Sequence, residues 1–145
     1  MSQENVEIVR RWLEALNRGT EEALASLPEF CEPDFDYYPV RKFLEATPCH
    51  GLDEFSQFLA RYLDAWRVEW AIQDLIEIRD ERVLFRGTLR TEGRGSGVKL
   101  EGALHQCFWL RNGRIIRQED HVTLRGALHA LGLEGDTLEA VGLSE

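Results

Sequence analysis

Four strand-like segments follow one another between Val68 and Thr123 with short turns and no helix between them: Val68–Arg79, Arg82–Thr91, Val98–Arg111 and Arg114–Thr123. Each is rich in β-branched, leucine or aromatic residues, and Asp-Glu, Gly-Arg-Gly-Ser-Gly or Asn-Gly punctuation bounds them. They read as an antiparallel meander. In the second segment Val83, Phe85, Gly87 and Leu89 alternate with Leu84, Arg86, Thr88 and Arg90, so the apolar set faces inward and the arginines face out.

The third and fourth segments form a hairpin whose register decides which polar residues meet. A two-residue Asn112-Gly113 loop places Gln106 opposite Glu119; a type I turn with Gly113 as a left-handed bulge pairs Leu110 with Arg114 and Gln106 with Gln118. The second register is preferred because it makes one face the more apolar. It gathers Leu104, Gln106, Phe108, Leu110, Ile116, Gln118, Asp120 and Val122 inside and leaves His105, Cys107, Trp109, Arg117, Glu119 and His121 outside. A one-residue slip would exchange the two sets.

Ahead of the meander, Val6, Val9, Leu13 and Leu16 recur at helical spacing between Gln3 and Arg18, with Ile8 and Trp12 widening the stripe and Gly19 as the stop. Thr20 caps a second helix, Glu21–Leu27, which Pro28 ends. Asp34–Val40 is expected as a short strand that Pro33 and Pro39 confine to an edge or a sheet entrance, and Arg41–His50 as a loop. After Gly51 a third helix carries Phe55, Phe58, Leu59, Tyr62, Leu63 and Trp66 on one face, apolar enough to lie across a sheet. Leu124, Leu128 and Leu131 mark a short last helix ending near Gly132, and the tail to Glu145 is expected to be partly ordered at most. Helices first and a meander after them is the α+β pattern, with helices gathered on one face of a curved antiparallel sheet.

A chain of 145 residues without a Pro- or Ser-rich linker fits a single domain, 1–145. Its net charge of −9 argues against nucleic acid and against an anionic membrane surface as partners. The start Met-Ser-Gln-Glu-Asn lacks the features of a signal peptide, and no apolar run reaches the ~20 residues needed to span a bilayer, so a cytoplasmic location is expected. Cys31, Cys49 and Cys107 are odd in number and lack Cys-x-x-Cys spacing, and read as reduced thiols rather than a disulfide framework or a zinc site. Neither a metal nor any other cofactor is expected.

Among the inward residues Asp120 is the most informative, because a carboxylate in an apolar interior must be hydrogen-bonded or protonated. It can serve as a general acid or base; it can equally be tied to an arginine such as Arg125 or reach water at a pocket mouth. Gln106 can donate to a ligand oxygen or satisfy Gln118 across the strands. Trp12, Tyr38, Phe58, Leu59, Tyr62, Phe85, Gln106, Phe108 and Gln118 are candidates for the lining of a ligand pocket. Gly87 and Gly102, inside strands, mark either a cavity or a bend of the sheet. His105 and His121 lack the carboxylate or cysteine support of a metal pair, and His50 beside Cys49 is a poor candidate for a dyad, since sequence neighbours rarely have that geometry.

The N-terminal helix ending Leu16-Asn17-Arg18-Gly19, the His50-Gly51 pair, the Arg111-Asn112-Gly113-Arg114-Ile115 turn and the ending Ala127-Leu128-His129-Ala130-Leu131-Gly132-Leu133 together resemble the SnoaL-like group of the nuclear-transport-factor-2-like superfamily, relatives of polyketide cyclases and ketosteroid isomerase. The resemblance covers about residues 5–133. It implies a cone-shaped α+β barrel, a curved sheet covered by the N-terminal helices, around an apolar pocket. It also implies a homodimer packed through the outer face of the sheet. Set against ketosteroid isomerase, the general base falls on Tyr38 and the oxyanion-hole pair on Trp12 and Gln106, a set that makes that isomerisation improbable. Set against the cyclases, the acid/base aspartate corresponds to Asp120 and its partner histidine to Gln106. The epoxide hydrolases of this fold need an Asp-Arg-Asp set, of which Asp120 supplies one member. Three functions follow as expectations: acid/base catalysis through Asp120 on an apolar carbonyl compound, a non-catalytic module binding an apolar small molecule, or a structural dimerisation domain whose cone Trp12, Phe55, Phe58 and Phe108 fill.

Overall fold

The computed structural model describes residues 2–40 and 47–133. Residues 41–46 of the expected loop and the tail from 134 onward lie outside the described residues. The elements run α1 (Ser2–Arg18), α2 (Thr20–Phe30), β1 (Cys31–Tyr38), β2 (Cys49–His50), α3 (Leu52–Ala65), β3 (Trp66–Arg79), β4 (Arg82–Gly93), β5 (Lys99–Arg111), β6 (Arg114–His121) and α4 (Leu124–Ala130). The six strands form one curved, unclosed sheet in the order β2-β1-β6-β5-β4-β3. It is mixed, because β1 runs parallel to β6 while the other pairs are antiparallel.

Side-chain alternation along the meander divides the molecule into two cores. Val83, Phe85 and Phe108 point to one side, where they meet Val9, Trp12, Leu13 and Leu16 of α1, Ala23, Leu27 and Phe30 of α2, and Phe55, Leu59 and Leu63 of α3. Leu84 and Cys107 point to the other and are covered by Leu124, Ala127 and Leu128 of α4, with Leu131 and Leu133 after it. The three N-terminal helices thus line the inner face and α4 the outer one.

Several boundaries differ from the sequence reading for local reasons. Helix α2 runs through Pro28 to Phe30: proline withholds only its own N–H from the last turn, Cys31 N–H closes the helix on Leu27 O, and Arg114 Nη2 donates to Pro28 O at 2.9 Å. Strand β1 starts at Cys31 and lies inside the sheet, with a register irregularity between Cys31 and Asp36, the stretch that contains Pro33. Cys49 and His50, expected in a loop, pair with Tyr37 and Asp36 as β2. Trp66 begins β3 instead of ending α3, whose last carbonyls are taken by Arg94, Nε to Leu63 O and backbone N to Ala65 O, both at 2.9 Å.

Gly87 answers the choice between cavity and bend. A Cβ there would lie 2.1 Å from Ala71 O and 2.7 Å from Phe85 Cζ, so the missing side chain admits the backbone of β3 where it bulges between Ile72 and Asp74. Gly87→Ala is expected to destabilise the fold by about 1–3 kcal/mol, read by urea denaturation, whereas the same change at Gly102, where a Cβ meets nothing within 4 Å, should be nearly neutral. The free edge of β3 is blunted by an amide: Asn17 Nδ2 donates to Trp70 O at 3.1 Å and Trp70 N–H donates to Asn17 Oδ1 at 2.8 Å, as a neighbouring strand would. Asn17→Ala should cost about 1 kcal/mol in the same assay.

Candidate active site

The β5–β6 hairpin sets the site. Asn112 and Gly113 have φ of 53° and 79°, a two-residue type I′ turn, and Arg111 pairs with Arg114 and Leu110 with Ile115. Ile116 is then an extra residue, because the next pair is Trp109 with Arg117. The expected pairing of Gln106 with Gln118 is therefore corrected to Gln106 with Asp120. The bulge lies inside β6, not at the turn, and shifts the register by two relative to the expected one. An even shift keeps Gln106, Phe108, Gln118 and Asp120 on the inner face, while beside the turn Ile115, fully buried against the main core, takes the inward place assigned to Ile116.

The Asp120 carboxylate accepts three hydrogen bonds from three directions. Tyr37 Oη, on the parallel neighbour β1, donates to Oδ2 at 2.6 Å. Gln106 Nε2 from β5 and Gln118 Nε2 from β6 both donate to Oδ1 at 3.1 Å. Burial raises the pKa of Asp120 above the ordinary carboxylate value, and the three donors, with His121 behind the strand, oppose that shift without cancelling it. Burial and the adjoining carboxylate push the Tyr37 phenol well up, so it holds its proton and acts as donor. The amide oxygens of Gln106 and Gln118 have no partner among the described residues, as expected when both amide groups turn their N–H toward a carboxylate.

An aromatic row continues from this cluster. Tyr37 packs on Phe55 and Phe58 with ring centroids 5.2 and 5.4 Å away, and Tyr62 stacks on Phe58 at 6.0 Å, one helical turn further along α3. Burial, then Asp120, pushes the Tyr62 phenol up to about 12.

The expected site residues divide by placement. Trp12, Leu59, Phe85, Gln106, Phe108 and Gln118 are sealed in the inner core, and Phe58, Tyr62 and Asp120 on the same side keep part of their surface accessible. Tyr38 lies on the opposite face, with the Arg117 guanidinium 4.3 Å above its ring, and its expected place as inner wall is taken by Tyr37. Tyr37 was missed, although burial alternates along β1, with Phe35 and Tyr37 buried and Asp36 and Tyr38 only half-buried. The same period-2 rule applied to Phe35-Asp36-Tyr37 would have found it.

The outer residues form their own network: Glu119 pairs with Arg117 and, at 3.2 Å, with His121, while Arg86 pairs with Asp74 at 3.8 Å. His50 turns to Asp36 at 3.0 Å and not to Cys49, and burial raises the thiol pKa of all three cysteines, which suits none of them to nucleophilic attack. Among the described residues no three His, Cys, Asp or Glu side chains are grouped to hold a metal ion, and no helix is long and apolar enough to cross a membrane.

A profile of the SnoaL-like domain matches residues 9–118, which include α3 and all but the last three residues of β6. The chain belongs to that family. No curated protein sequence matches this SnoaL-like domain at a significant level. Solved structures share its fold. An NTF2-like protein of unknown function from Burkholderia pseudomallei is 23% identical, with 87% of this chain and 95% of that one covered and a TM-score of 0.70. A protein with a ketosteroid isomerase-like fold from Catenulispora acidiphila, solved with trimethylamine, is 17% identical over 88% and 93% of the two chains, TM-score 0.66. An epoxide hydrolase from M. tuberculosis is 19% identical over 92% and 96%, TM-score 0.69. Similarity of this degree establishes the NTF2-like cone and leaves the activity to the site itself.

Proposed function

We propose that this SnoaL-like domain binds an apolar carbonyl compound inside its cone and moves a proton on it with Asp120, in the manner of a cyclase or isomerase. The observation that carries the reading is the partly buried carboxylate with a raised pKa, held by Tyr37, Gln106 and Gln118, with no arginine among its described partners. Three bonds leave about one of the roughly four acceptor positions of a carboxylate for an incoming proton. Partial exposure of Phe58, Tyr62 and Asp120 beside the sealed glutamines supports an opening between α3 and β6 for the ligand. There Asp120 would take the proton from the carbon next to the carbonyl, the C–H electron pair would form the enolate, and the proton would return to the same or another carbon.

The test is exchange of that C–H with D₂O, followed by proton NMR on an apolar cyclic monoketone such as 2-tetralone. Saturable acceleration over buffer supports the reading. Ligand binding without acceleration would replace it with a non-catalytic binding module, and the absence of both would remove the ligand reading altogether. The half-buried outer residues Tyr38, Trp109, Arg117 and His121 support pairing of two copies through that face of the sheet. Light scattering that returns a monomer at micromolar concentration would refute the dimer.

A further inference from the structure

The cluster around Asp120 leaves one half of the proposed chemistry unassigned. An enolate needs a donor for its oxygen, and the sealed polar groups cannot supply one: Gln106 and Gln118 are 2% and 4% exposed with their amides turned to Asp120, and Tyr37 spends its only hydroxyl hydrogen on the same carboxylate. Trp12, which falls where an oxyanion donor stands in the isomerase, is fully buried. His121 is on the other side of the strand, bonded to Glu119.

Tyr62 is different on each count. Its hydroxyl makes no hydrogen bond to a described residue, its surface is partly open, and it stands on α3 two ring contacts along from Tyr37, the phenol that holds Asp120. Its ring is fixed by stacking on Phe58 at an interplanar angle of 5°. Ring contacts of 6.0 Å from Tyr62 to Phe58 and 5.4 Å from Phe58 to Tyr37 tie the phenol to the residue bonded to Asp120, and the Asp120 charge acts on it without a hydrogen bond between the two. We propose that Tyr62 is the second catalytic group of this site, its hydroxyl donating a hydrogen bond to the substrate's carbonyl oxygen while Asp120 takes the adjacent C–H proton. The inference rests on the reading of Asp120 as base.

Atoms and charges balance. The C–H bond breaks and an O–H bond forms on Asp120; the C–H pair becomes the carbon–carbon double bond, and the carbonyl π pair moves onto oxygen. Tyr62 keeps its proton throughout and shares it with that oxygen, as a phenol whose pKa stands near 12 can do at neutral pH. The negative charge passes from Asp120 to the oxygen held by Tyr62, so the donor acts where charge develops.

Two measurements test the assignment. Tyr62→Phe retains the stacked ring and loses a hydroxyl with no partner among the described residues, so its melting temperature should be unchanged while kcat for C–H exchange falls about 100-fold and KM stays nearly constant. Equal kcat in the variant would overturn the assignment. The second measurement is independent of turnover: p-nitrophenolate, whose oxygen imitates an enolate, is titrated by absorbance into Asp120→Asn, which lacks the repelling charge. Adding Tyr62→Phe to that background should weaken phenolate binding about tenfold or more and leave nitrobenzene binding unaltered. Equal phenolate affinity in the two backgrounds, or no phenolate binding in either, overturns the role of Tyr62. Phenolate binding that depends on Tyr62, in a protein that exchanges no C–H proton, supports Tyr62 as the oxygen-binding donor and overturns only the base reading.

Discussion

Replacing Asp120 by asparagine is expected to lower the rate of C–H exchange by about 10²–10⁴-fold, the usual contribution of a positioned general base, in a protein that remains folded. The substitution fits the site. Asparagine Oδ1 can still accept from Gln106 and Gln118, and its Nδ2 can donate to the oxygen of Tyr37, whose hydroxyl hydrogen then loses its acceptor. The pH dependence of stability gives a second readout that turnover cannot supply. Burial raises the folded-state pKa of Asp120 above its unfolded value, so the folded protein binds the extra proton in the interval between them. The contribution of this acid to stability is therefore fully present below the unfolded value and is lost as pH rises through the folded one. Asp120→Asn should remove that part of the slope. Urea unfolding from pH 4 to pH 8 measures it. An unchanged slope would mean that the carboxylate is not desolvated as described, and an unchanged exchange rate would end its role as base.

The largest stability effect is expected at Trp12. This side chain is fully buried, with Phe30 and Phe55 ring centroids 6.2 and 6.3 Å from its own, and it ties α1 to α2 and α3 within the inner core. Trp12→Ala should cost about 3–5 kcal/mol, the lost transfer energy plus the cavity left behind. Its indole N–H, however, has no acceptor among the described residues, so part of what tryptophan contributes is offset by a desolvated donor. Trp12→Phe keeps most of the packing and removes that donor, and should cost about 1 kcal/mol or less. Chemical denaturation of the pair separates the two effects. A phenylalanine variant as unstable as the alanine one would show that the indole N–H is satisfied, and similar small losses in both would show that the inner core collapses around the gap.

Much of the architecture was legible because it is written in periods. The stripe Val9, Trp12, Leu13, Leu16 repeats every three or four residues and can bury only one face of a helix. Val83 and Phe85 alternate with Leu84 and Arg86, and the strand sorts them to opposite sides whatever its neighbours are. The inner position of Asp120, Gln106 and Gln118 was legible for the same reason, since an even shift of register cannot move a side chain across a sheet. Less legible were the ends of elements, where tertiary partners decide: Arg94 closes α3 from outside it, and Arg114 takes the Pro28 carbonyl.

From the sequence alone, then, came the order of helices and strands, the two faces of the meander and the candidacy of Asp120, because each depends on spacing along one chain. Only the tertiary structure decided what holds that carboxylate. The extra residue Ile116 sets Gln106 opposite Asp120, and the parallel docking of β1 on β6 brings Tyr37 to it across 83 positions of sequence. A bulge changes backbone pairing without changing composition, and a parallel neighbour is chosen by how the helices wrap the sheet. Local periodicity carries neither.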